Sequence, residues 1–158
     1  MLSPTDSSVL DRRTFLLGAG TVIVLAPLLA GTVAGEDAAQ TWEQAVKKIA
    51  GDAQPTNGKF TFDVPETADN GNMVPFAVDV PSPMTDKDYV KSIHVIATAN
   101  PQPNVVSFYF TPLSGRAAVA SRMRLARAQD VICLAALSDG RILMVRRLVK
   151  VTIGGCGG

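Results

Sequence analysis

One side chain in this sequence is set apart from the others that can do covalent chemistry. Cys156 has Gly154 and Gly155 before it and Gly157 and Gly158 after it, two residues from the chain end. A cysteine thiolate is a nucleophile and a point of covalent attachment. Glycine has no side chain to bury, so nothing ties such a tail to a folded domain. The five residues can extend about 15–18 Å at roughly 3.3–3.6 Å each. A thin, mobile arm carrying a thiol suits a covalent carrier that enters a narrow tunnel, delivers its cargo and withdraws. No general base adjoins Cys156, and the Gly158 carboxylate disfavours the thiolate. Activation therefore has to come from the site that receives the arm. The chain reads as a substrate handle and not as an enzyme.

The remaining chemistry is sparse. There are two cysteines and one histidine, and there is no CxxC, HExxH, phosphate-binding glycine loop or Ser-His-Asp grouping. Cys133, inside Val131-Ile132-Cys133-Leu134-Ala135, reads as a small core hydrophobe. His94 reads as a partly exposed strand position. A metal site needs three or four ligands, so neither a metal nor a cofactor is expected. Asp86 and Asp88 flank Lys87 in what reads as a solvated turn. Two other fates remain open for Cys156: a disulfide with Cys133 in an oxidising compartment, and an intermolecular disulfide between two copies.

The first residues read as an address. Asp11-Arg12-Arg13-Thr14-Phe15-Leu16 places twin arginines ahead of an uncharged stretch to Leu29, followed by the small residues Ala30-Gly31-Thr32-Val33-Ala34. That order describes a secretory signal, and Arg12 and Arg13 point to the twin-arginine route. The apolar run falls short of the roughly 20 residues that span a bilayer, which argues against a stable membrane anchor. The expected division is a leader over 1–34, a folded domain over 35–153 and an arm over 154–158, with the mature protein in the periplasm.

Within the domain, Thr41 and Gln44 form a capping box for a helix over about 41–50. Trp42, Val46 and Ile49 share its apolar face, and Gly51 stops it. So short a helix is expected to cover a sheet edge or to dock a partner. From Lys59 onward the pattern is β. Phe60 and Phe62 alternate with polar residues, as do Val74, Phe76, Val78 and Val80, then Val106, Phe108 and Phe110. Ile93 and Val95 face away from His94 and Ile96. Val131 to Leu137 is continuously apolar, as in a strand covered on both faces. Arg141 to Ile153 reads as a long last strand whose apolar parity shifts near Arg146-Arg147, predicting a bulge or a bend. Turn chemistry separates these runs, most clearly Asp139-Gly140. About seven strands with no intervening helix predict an all-β fold, an immunoglobulin-like antiparallel β-sandwich.

The formal net charge of +1 speaks against a general nucleic-acid binder. The charge is unevenly spread, however. After Gly115 there are eight basic residues (Arg116, Arg122, Arg124, Arg127, Arg141, Arg146, Arg147, Lys150) and two acidic ones, Asp130 and Asp139. Between Gly35 and Gly115 the balance is five basic to ten acidic. Two solvated faces of opposite sign account for this, as does a positive surface suited to anions or an acidic partner.

The sequence resembles the SoxY family of the Sox thiosulfate-oxidising system. The resemblance rests on the Gly-Gly-Cys-Gly-Gly terminus, the twin-arginine leader, and several internal stretches. These are Asn70-Gly71-Asn72 with Val74-Pro75, Ser82-Pro83-Met84-Thr85, Tyr89 to His94, Phe110 to Gly115, and Ser138-Asp139-Gly140. It implies an immunoglobulin-like sandwich paired with a second β-sandwich subunit, SoxZ. It also implies a reaction cycle on Cys156. A c-type cytochrome complex joins thiosulfate to the cysteine, a manganese-dependent hydrolase releases sulfate, and a sulfane dehydrogenase oxidises the remaining sulfur or it is passed on. Two rival readings are a carrier charged as a thiocarboxylate at the Gly157-Gly158 terminus and a periplasmic binding module with an incidental tail.

Overall fold

The structure, a computed structural model, describes residues 40–153. The expected leader (1–34) and the glycine-cysteine arm (154–158) lie outside the described residues. Helix α1 spans Trp42–Ala50 and nine strands follow: β1 (Thr56–Asn57), β2 (Thr61–Asp63), β3 (Thr67–Asn70), β4 (Val74–Val80), β5 (Val90–Ala97), β6 (Asn104–Tyr109), β7 (Ala117–Met123), β8 (Gln129–Leu137) and β9 (Ile142–Ile153). Six of them form a large sheet in the order β1-β9-β8-β5-β6, with β3 also on β9. The other three form a small sheet, β2-β4-β7.

The predicted β-sandwich is what the chain adopts, with more strands than the sequence signalled. The extra ones are the two-residue β1 and the four-residue β3. Both pair in parallel with β9, so the large sheet is mixed. The main core lies between the sheets. Phe62, Phe76, Val78, Val80 and Met123 come from the small sheet, and Ile93, Val95, Val131, Cys133, Ala135 and Val149 from the large one. Alternation explains the assignment, since successive strand residues point to opposite faces.

A second core lies on the other face of the large sheet. Ile96, Ile132, Leu134 and Ile142 meet Ala45, with Trp42, Val46 and Ile49 packed against them. Thus β5 and β8 are buried on both faces, as the apolar run through Val131–Leu137 required. The covering element is α1, which lies on the sheet's face and not on its edge, correcting the expectation above. Its local signals hold. Thr41 Oγ1 accepts from Gln44 N–H, Gln44 Oε1 accepts from Thr41 N–H, and Gly51 ends the helix at φ +60°. A cap of this kind stabilises by about 1 kcal/mol; the apolar face contributes the rest.

Leu134 is fully buried beneath the helix. Leu134→Ala should cost about 3 kcal/mol, read as a lower urea midpoint at unchanged m-value. A loss below about 1 kcal/mol, typical of a surface site, would show that the layer is not packed as described.

The predicted bulge at Arg146-Arg147 is absent. β9 keeps one register against β8 from Ile142↔Ala136 to Val149↔Gln129. The irregularities lie on β5 instead, between Val90 and Ser92 and between Val95 and Ile96. The apparent change of parity has a simpler cause: β9 has apolar residues on both faces at its start, because the helix covers one face there and the small sheet the other. The β8–β9 connection is the turn expected at Asp139-Gly140. Gly140 sits at φ +91°, where a side chain would be strained, and Asp139 Oδ1 accepts from Arg141 N–H at 3.0 Å.

Candidate functional site

The candidate site is the thiol arm, and the structure describes the point from which it departs. Ile153, the last residue of β9, is registered in parallel with Asn70, and Val151 with Ala68. The strand end, past the last β8 pair at Val149, is therefore held by a segment distant in sequence. After β3 the chain turns sharply through Gly71–Met73. Asn70 Oδ1 accepts from Asn72 N–H at 2.8 Å, and Gly71 C=O accepts from Leu125 N–H at 2.8 Å. The Asn70-Gly71-Asn72 stretch, notable in the sequence only as family-like text, is thus the clamp beside the arm's root. Ile153 and Met73 are both well exposed there. Sequence reading missed this clamp because β3, Thr67-Ala68-Asp69-Asn70, has no apolar alternation; only Ala68 is buried.

Cys156 and its glycines lie outside the described residues, as do Arg12 and Arg13. Cys133 is described fully. It is completely buried, level with Val95 on β5 and Val145 on β9. Burial in an apolar layer pushes its thiol up to about 12, because the thiolate would be charged there without solvent. It is a core residue, as its neighbours predicted. A disulfide from Cys133 to Cys156 would require the sandwich to open.

Cys133 should therefore resist iodoacetamide at pH 8 in the native protein and react only in denaturant. The neutral thiol also sets a sign for stability against pH. The folded pKa is raised, so its contribution is complete below the unfolded value near 8.5 and disappears as pH rises toward about 12. Rapid native labelling at Cys133, located by peptide mass, would contradict its placement.

His94 is buried, not partly exposed as its strand pattern suggested. Its Nδ1 lies 2.7 Å from Ser107 Oγ and its Nε2 2.9 Å from Ser92 Oγ, and Tyr109 packs edge-on against the ring. Both nitrogens are satisfied, and burial lowers the pKa, favouring the neutral ring. Among the described residues, no group of three His, Cys, Asp or Glu side chains could hold a metal ion.

The basic excess of the C-terminal half is partly neutralised across strands and turns. Arg116 pairs with Asp79, Arg141 with Asp139 at 2.6 Å, and Arg146 with Asp130 at 3.5 Å. Arg146 also lies 5.0 Å over the Trp42 ring. The Asp86–Asp88 segment is a turn closed by Thr85 N–H to Asp88 C=O at 2.9 Å, with all three charged side chains in solvent.

The fold and the sequence together define a two-sheet β-domain whose last strand is followed by a glycine-bracketed cysteine. The family model described as "Sulfur oxidation protein SoxY" matches residues 46–156, and the chain belongs to the SoxY family. Among solved structures, it is similar to the sulfur carrier protein SoxY from Chlorobium limicola f thiosulfatophilum. The identity is 28% and the TM-score 0.60, covering 70% of this chain and 96% of that one. It is also similar to a superoxide reductase (neelaredoxin) from Ignicoccus hospitalis. There the identity is 15% and the TM-score 0.53, covering 60% of this chain and 80% of that one, a likeness of fold alone. No curated protein matched. Among the described residues, no helix is long and apolar enough to cross a membrane.

Proposed function

We propose that this protein is a periplasmic carrier that holds the sulfur intermediates of thiosulfate oxidation covalently on Cys156 and presents them to partner enzymes. The observation that carries the reading is the Gly-Gly-Cys-Gly-Gly sequence starting directly after a strand end pinned by β3. A fixed root with a slim arm gives a defined reach and a free tip.

The chemistry balances simply. The Cys156 thiolate and thiosulfate form one S–S bond and lose two electrons, which pass to a c-type cytochrome complex. Water then cleaves the bond to the terminal sulfonate in a hydrolase, leaving sulfate and a cysteine persulfide. A sulfane dehydrogenase oxidises the persulfide sulfur further, or it moves to another acceptor. The carrier supplies no acid or base. A SoxZ-like β-sandwich subunit completes a heterodimer. Export proceeds by the twin-arginine leader carrying Arg12 and Arg13.

Intact-mass analysis of protein taken from the periplasm of thiosulfate-oxidising cells tests both parts. The mature chain should begin near Gly35 and carry extra mass on the tail peptide that a thiol reductant removes. Arg12→Lys with Arg13→Lys should leave full-length precursor in the cytoplasm. An adduct on Cys133, or normal export of the double variant, would overturn the corresponding part.

A further inference from the structure

The middle of β9 has an unfilled edge. On the side away from β8, β1 is registered with Leu143 and Met144, and β3 begins at Lys150. Between them, among the described residues, no strand is in register on this side with residues 145–149. The flanking hydrogen bonds show which groups face the gap. Met144 C=O accepts from Gly58 N–H at 2.9 Å, and Lys150 N–H donates to Glu66 C=O at 2.8 Å. Strand alternation turns the N–H and C=O groups of Arg146 and Leu148 to the same edge. The Arg147 guanidinium donates to Arg146 C=O at 3.2 Å. Among the described residues, that leaves both N–H groups and the Leu148 carbonyl without a strand partner.

At Gly58, just past β1, the chain passes close against Phe60 and Leu143 while its N–H donates to Met144 C=O. A Cβ there would come within 2.7 Å of the Phe60 ring and 2.8 Å of Leu143 Cβ, so no larger residue fits without movement. Around the opening lies a cleft whose lining includes Lys59, Arg146 and Arg147. Leu148 is 58% exposed beside it. Asp130 faces Arg146, but among the described residues neither Arg147 nor Lys59 has an ion-pair partner. Unpaired edge strands are ordinarily blunted or covered. Here the edge offers main-chain donors, the Arg147 cation and one apolar side chain over a span of five residues, with Lys59 in the adjoining cleft.

We infer that this gap receives an extended acidic segment of a partner protein, which pairs with β9 through its main chain and sets carboxylates against Lys59 and Arg147 and an apolar side chain on Leu148. Strand addition supplies main-chain hydrogen bonds, and side-chain pockets supply choice of sequence. The charge selects an acidic segment. The inference does not depend on the chemistry of Cys156.

Trp42 is the single tryptophan and lies under Arg146, so its fluorescence reports on the site. The mature protein is titrated with a capped hexapeptide of alternating Glu and Val. A Lys-Val peptide, and the Glu-Val peptide with alternate backbone N-methyl groups, serve as controls. A saturable change is expected with the Glu-Val peptide alone, weakening as salt rises. Lys59→Glu with Arg147→Glu should raise its Kd by about tenfold or more, with an unchanged melting temperature. Equal binding of the N-methylated peptide would show charge attraction without strand pairing and overturn the inference. So would binding of the Lys-Val peptide, saturation of the signal by sulfate alone, or no response to the Glu-Val peptide.

Discussion

Cys156→Ser is expected to abolish thiosulfate-dependent cytochrome reduction in a reconstituted system while leaving the domain folded. A serine hydroxyl cannot form the sulfur–sulfur bond on which the proposed cycle starts, so no residual pathway through the carrier remains. The domain should not notice the change. Its cores are built from residues between Phe60 and Val149 and, under the helix, between Ala45 and Ile142. Melting should shift by no more than about 1 °C, since tail positions of this kind contribute little packing. Cys133→Ser is the matching control with the opposite result. It places a hydroxyl in a fully buried apolar layer, so stability falls while the intact protein still accepts cargo. Retained turnover in Cys156→Ser would sink the carrier reading.

Gly155→Val combined with Gly157→Val is expected to separate access from reactivity. Each change adds a branched side chain and narrows the backbone's freedom while the thiol stays in place. Partner-enzyme turnover should fall at least about a hundredfold, the scale of loss when a reacting group is misplaced by an ångström or so. Alkylation of Cys156 by iodoacetamide should stay within about twofold of wild type, because a small reagent needs only an exposed sulfur. Equal turnover in wild type and variant would show that the glycines are not there to pass a narrow channel.

Much of this architecture is legible in the residues. Val74, Phe76, Val78 and Val80 alternate as a half-buried strand does, and the unbroken run from Val131 to Leu137 announces burial on two faces. The Thr41-Gln44 box and Asp139-Gly140 turn act over three or four residues, where local chemistry decides conformation. What escaped depends on distant partners. β1 and β3 are strands only because β9 lies beside them, and nothing in Thr56-Asn57 or Thr67 to Asn70 announces that pairing. His94 looked partly exposed because a polar residue in a strand usually points outward. Here Ser92 on its own strand and Ser107 on β6 satisfy it inside. Arg146 and Arg147 suggested a bulge, whereas they mark an edge left open. The proposed arm rests on composition alone, whereas the β3 clamp beside the end of β9 came only from the structure.

The grip of β3 on the end of β9 also decides how the molecule answers a pull. Under the proposed function, a partner that draws on residues 154–158 would tug on the end of β9. The ladder to β8 spans Ile142 to Val149, and the pairing with β3 continues it to Ile153. Force along the strand loads many hydrogen bonds sideways and together, so they share it, whereas peeling at a hairpin would break them one at a time. The β3 segment acts as strain relief, like the collar where a cable enters its plug. In the proposed cycle, repeated insertion and withdrawal would thus tension the tether without fraying the sheet that anchors it.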